Sequence, residues 1–285
     1  MKVLLGILLI VVGVVIFFWN APISILTSTK TTDRLVSEDM EGINEINLSS
    51  TSVDWVFEDG DENLEVELVN PTDKINVNSL KNNQQLKIEI KEKSRWFSFD
   101  FSPSRTKAIV RVPKSYKGKV EITTVSGDID FKQLNQVTSM KARTVSGDME
   151  AKKLIVKEDY IVNTTSGDLS IDEIDAKVIK AESVSGEMKI EQITGKLDLY
   201  SVSGDLLIGL AHENKEMKIK TVSGEVDVMI PSANANLTLK TVSGDLRVSQ
   251  DMKNQDIQNK RISGMIGKGD YALQISTTSG DIIIR

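Results

Sequence analysis

Lys240–Val248 reads KTVSGDLRV, and Lys220–Val228 reads KTVSGEVDV. TVSGD also stands at Thr124–Asp128 and Thr144–Asp148. Working outward, the glycines of the phrase are Gly127, Gly147, Gly167, Gly186, Gly204, Gly224, Gly244 and Gly280, with Gly264 (ISGM) as a degenerate ninth copy. Successive spacings are 20, 20, 19, 18, 20, 20, 20 and 16 residues. A period near 20 is too short for helical repeats or propeller blades. It fits coils of short strands, each stacked on the next.

The columns support this. The position two after each glycine is always apolar: Ile129, Met149, Leu169, Met188, Leu206, Val226, Leu246, Ile266, Ile282. The position seven before carries no charge, from Val120 to Leu273, and includes Ile257. Five before and four after are apolar except for Asn259 and Lys268, both in the degenerate copy. Polar residues alternate between these columns, so each strand has one buried face. Apolar positions at −7 and −5 share one phase, and those at −2, +2 and +4 share the other. The slip around Thr-Val-Ser marks a corner, where glycine supplies φ > 0. A second slip precedes Leu134, Leu154, Ile174 and Ile193. The expected fold is all-β: a single-stranded β-solenoid of about 20 residues per coil, with a β-rich N-terminal cap, preceded by one transmembrane helix.

Four segments follow. Residues 1–20 form a membrane anchor. Val3–Trp19 is a run of 17 uncharged, apolar residues, and FFWNAPIS offers no small-x-small cleavage site. Lys2 sets the amino end in the cytoplasm and the bulk outside. Residues 21–37 are a polar tether. Residues 38–115 alternate as strands (INEINL, NLEVELV, QQLKIEI) and form a lead-in, in which STSVDWVF at Ser50–Phe57 looks like a decayed first copy of the phrase. Residues 116–285 hold nine coils. Within the lead-in, RWFSFDF places Trp96, Phe97, Phe99 and Phe101 together in a chain with only 5% aromatics. They either cap the open core or form a surface patch for a partner or the nearby membrane.

Composition narrows the chemistry. The chain of 285 residues has no cysteine, one histidine (His212) and a net charge of −6. Thiolate chemistry, disulfides and cysteine metal sites are excluded. The acidic balance argues against nucleic acid. No residues qualify as catalytic or metal-binding, and no cofactor is implied. A polysaccharide-active enzyme would need acids that break the repeat, and these follow it.

One column resists a purely structural reading. After the glycines come Asp128, Asp148, Asp168, Glu187, Asp205, Glu225 and Asp245, and later Asp281. Stacked at about 4.8 Å, each neighbouring pair repels by roughly 1 kcal/mol in water. Two readings stand. The carboxylates accept backbone N–H bonds at the corners, with Arg143, Lys220 and Lys240 offsetting charge, or they form a wall for cationic peptides or basic envelope polymers.

The anchor, the VRVP-ending lead-in and the tandem TVSGD coils resemble the bacterial "putative adhesin" β-solenoid family, most closely its LiaG-type membrane-anchored members. That resemblance covers nearly the whole chain. It implies a non-enzymatic, extracytoplasmic protein of the cell membrane, a binding or accessory component of the cell-envelope stress response, with envelope proteins or cell-wall polymers as partners. The alternative is a passive surface adhesin or spacer.

Overall fold

A computed structural model describes residues 29–31, 35–71, 75–92 and 106–285; the expected anchor and Trp96, Phe97, Phe99 and Phe101 lie outside them. The described residues are all-β, with strands and no helix. Each coil pairs with its neighbour in parallel register, as the 20-residue period requires: Met140 lies beside Val120 and Tyr160, and Met149 beside Leu169. A coil lays down three paired runs. In Met149–Thr164 these are 149–151, 153–156 and 159–164, with a register break between Val156 and Asp159. The −7, −5, +2 and +4 columns point inward. Leu134, Leu154, Ile174 and Ile193 beyond the second slip are also buried. Each such aliphatic side chain contributes about 1.5–3 kcal/mol of burial.

The stack begins earlier than the TVSGD phrase. Glu45–Ser50 pairs in parallel with Lys119–Thr123, and Asp54–Gly60 with Ile129–Phe131. Here Trp55, Phe57 and Phe131 fill the core, the latter two with ring centroids 4.8 Å apart. Tyr160 is also fully buried, and burial pushes its phenol well above the usual tyrosine range.

Both ends depart from sequence order. At the start, the coil of residues 45–60 is sandwiched between the strands 85–92 and 107–113 on one side and 119–131 on the other. Beyond it, Ile75–Asn82 pairs antiparallel with Gln85–Glu92, and Thr29–Thr31 adds antiparallel to Ile75–Asn82. At the other end, Met217–Ser223 does not meet Ala235–Lys240. The strand Tyr271–Ser276 lies between them, parallel to both. Ile282–Ile284 likewise lies between Val226–Met229 and Leu246–Val248.

Three expectations need correction. The degenerate copy around Gly264 is not a ninth coil. Arg261–Ile266 runs antiparallel to Ala235–Lys240 and forms a hairpin with Lys253–Gln258, so Ile257 is 62% exposed instead of core. The valine at −2 is not inside. Thr124, Thr144 and Thr164 turn inward and are buried, whereas Val222 and Val242 are exposed. Finally, φ > 0 is not common to every corner. It occurs at Gly186, Gly204, Gly224, Gly244 and Gly280, with φ from 119° to 145°, but not at Gly127, Gly147 or Gly167.

Candidate functional site

What all eight glycines share is a close approach. A Cβ on Gly147 would overlap the carbonyl of Gly127, and one on Gly167 that of Gly147. The contact passes along the stack to Gly224, then Gly280, then Gly244, following the spatial order instead of the chain order. Two corner forms carry this ladder. In the first three copies the buried threonine hydroxyl accepts the glycine N–H, as in Gly147 N to Thr144 Oγ1 at 2.9 Å. At Gly204 and Gly224 the hydroxyl turns round: Ser201 Oγ donates to the Ser203 carbonyl at 3.2 Å and Thr221 Oγ1 to the Ser223 carbonyl at 3.1 Å. Ser183, at the changeover, has a buried Oγ with no partner.

The acidic column is joined in the same way. The N–H of Asp128 donates to Asp54 Oδ1 at 3.1 Å, that of Asp148 to Asp128 Oδ1 at 3.0 Å, and that of Asp168 to Asp148 Oδ1 at 2.9 Å. Glu187 N–H donates to Asp168 and Glu225 N–H to Asp205, both at 2.8 Å. Asp245 N–H donates to Asp281, also at 2.8 Å. Each acid's own carbonyl accepts from the preceding coil, as in Met149 N to Asp168 O at 2.8 Å. The chain turns at this corner, and the carboxylate supplies an acceptor that the neighbouring backbone does not. Aspartate has the right reach. Among the described residues the longer carboxylates of Glu187 and Glu225 accept no such bond.

This geometry accounts for the column as part of the scaffold. The bond is between coils, not within a corner, and Arg143 does not serve it, since its guanidinium pairs with Glu121 at 2.6 Å. Asp148→Ala should lower the melting temperature by about 3 °C by stranding the Asp168 N–H, whereas Asp148→Asn keeps Oδ1 and should be close to neutral. Equal effects of the two variants in thermal denaturation would mean that charge, not the acceptor, matters.

A second polar cluster was not read from the sequence. Asn214 is fully buried and Asn234 nearly so. Asn234 N–H donates to Asn214 Oδ1 at 2.7 Å, and the Asn214 amide donates back to the Asn234 carbonyl at 3.2 Å. The Asn234 amide then donates to Glu213 Oε1 at 2.5 Å and Asp270 Oδ2 at 2.9 Å, while its Oδ1 accepts the Asp270 N–H at 2.9 Å. Glu213 and Ser232 form a direct parallel bridge. The coils of residues 217–229 and 235–248 thus touch at this corner and splay around residues 271–284, with Asn234 at the apex. His212 beside it is exposed. Among the described residues no three His, Asp or Glu side chains gather as a metal site.

No curated protein matches the sequence significantly. Among solved structures, one described as "Putative lipid binding protein" from Parabacteroides distasonis is 18% identical, with 91% of this chain and 97% of that chain covered and a TM-score of 0.55. Another from the same organism, described as "putative adhesin", is 16% identical over 91% and 97%, with a TM-score of 0.49. The first of these shares the fold. The family model described as Toastrack DUF4097 matches residues 43–285, from the first coil to the inserted terminal strand, and the chain belongs to that family.

Proposed function

We propose that the protein is a non-enzymatic component of the cell envelope, anchored by residues 3–19 with its N-terminus cytoplasmic, whose solenoid acts as a binding or accessory element of the LiaG-type envelope-stress response. The observation that carries this reading is the form of the surface. Its outward side chains recur column by column through successive parallel coils, the form of an extended contact face instead of a point site. Glu92 and Thr106, which flank the aromatic segment, border the outermost parallel coil, at the same end as Thr29–Thr31. We propose from the sequence alone that Trp96, Phe97, Phe99 and Phe101 form a patch for the nearby membrane, in keeping with the lipid-binding description of the P. distasonis structure.

A membrane-impermeant amine cross-linker added to intact protoplasts tests the reading, with capture of the full chain from detergent-solubilised envelopes. The chain should react and bring down membrane proteins. A chain that reacts but captures nothing favours the spacer alternative, and one that does not react overturns the topology.

A further inference from the structure

Several cations of the early coils are held in ion pairs. Arg143 and Lys141 both reach Glu121, at 2.6 and 3.6 Å, and Arg111 lies within 4.0 Å of Glu58, Glu65 and Glu67. Past residue 217, on the wall that carries the −6 and −4 columns, this stops. Lys218, Lys220, Lys240 and Arg261 are exposed, and among the described residues none pairs with a carboxylate. The order of strands brings them together. Lys220 lies in register with Ser276, Ser276 with Lys240, and Lys240 directly opposite Arg261. Lys218 lies beside Gln274. At about 4.8 Å per strand, Lys220 to Arg261 spans about 14 Å. Lys260, whose Nζ holds the Gly244 carbonyl at 2.7 Å, continues the row. The acids at its borders are Asp198, in register with Lys218, and Asp256, opposite Ser263; neither forms an ion pair with it.

Like charges directly opposite one another in an antiparallel pair destabilise a sheet. The Lys240–Arg261 pairing has no internal compensation, in a chain whose net charge is −6. We propose that this face binds a linear polyanion that repeats singly charged phosphate groups, with Ser276 and Gln274 donating hydrogen bonds between the cations. A bilayer is the other source of such charge. The face lies at the end of the stack remote from Thr29–Thr31, about 40 Å along it, so a chain anchored by its N-terminus holds the face away from its own membrane. Only this choice of polymer over bilayer rests on the proposed topology; the site itself does not.

The test is binding of fluorescently labelled inorganic polyphosphate to the full chain in non-ionic detergent, measured by anisotropy at low and high salt. Binding should weaken with salt, and the double variant Lys240→Gln, Arg261→Gln should lose about tenfold or more in affinity. Its melting temperature should hold or rise as the like-charge opposition is removed. Lys177→Gln, at an amine already paired with Glu158, should leave binding unchanged. Absence of polyphosphate binding, equal loss in the Lys177 variant, or a fall in melting temperature on removal of the two charges overturns the proposal. Tighter binding to phosphatidylglycerol vesicles than to polyphosphate, with the same dependence on Lys240 and Arg261, overturns the choice of polymer. Because the assay needs no envelope, its failure is separate from failure of the topology.

Discussion

Gly204→Val should lower the melting temperature by about 10 °C or more. Two costs add. The φ of Gly204 is 119°, which a β-branched residue adopts only with strain, and its new Cβ would overlap the Gly186 carbonyl. Strain and overpacking each cost about 1–3 kcal/mol, and a chain of this size loses about 2–4 °C per kcal/mol. Gly147→Val separates the two. That glycine has no positive φ, yet its Cβ would overlap the Gly127 carbonyl in the same way. A substantial fall is therefore expected there too, by calorimetry or thermal circular dichroism. A neutral Gly147 variant would show that backbone strain, not the close approach of stacked corners, is the reason for glycine.

Asn234→Ala should cost about 3 kcal/mol, since it removes three side-chain bonds, two of them to carboxylates, at a nearly buried position. The damage should be local. Hydrogen exchange should accelerate in residues 271–284 before it does in 159–185, because Asn234 is where the terminal strands enter the stack. Asn234→Asp is the sharper variant. It keeps the shape but puts a third carboxylate against Glu213 and Asp270. The variant should be least stable at neutral pH and recover as pH falls through the carboxylate range, because the folded state then takes up protons more readily than the unfolded chain. Exchange that rises uniformly along the chain would refute a local role.

The sequence disclosed the coil because every copy repeats the same inward residues. Met140, Tyr160 and Ile179 announce one column, and the columns fix the register. It did not disclose the order of the last coils. Met217, Leu237 and Leu273 are equally good neighbours for one another, so either stacking satisfies the pattern; only the turn through Arg261–Ile266 decides between them. Gly264 misled because Ser-Gly survives there in a strand that runs the other way. The −2 valine misled because a corner is not a strand: alternation lapses for a residue, and the smaller threonine takes the interior. The acidic column was visible, and so was its capacity to accept N–H bonds, but not that the donor comes from the next coil. The row of cations was invisible for the same reason as the order. Lys240 and Arg261 become neighbours only after the hairpin folds back.

The two interleaved ends bear on how such a protein can change in length. Between residues 119 and 229, neighbours in the chain are neighbours in the stack. An in-frame duplication of one 20-residue unit there, such as 149–168, adds a layer and leaves every other contact in place. The same duplication within 45–60 or 235–248 would have to thread an extra layer through a closed sandwich, and the strand beyond it would lose its slot. Gain and loss of repeats should therefore be confined to the middle of the chain, and relatives of different length should keep both ends and vary only in the number of layers between them.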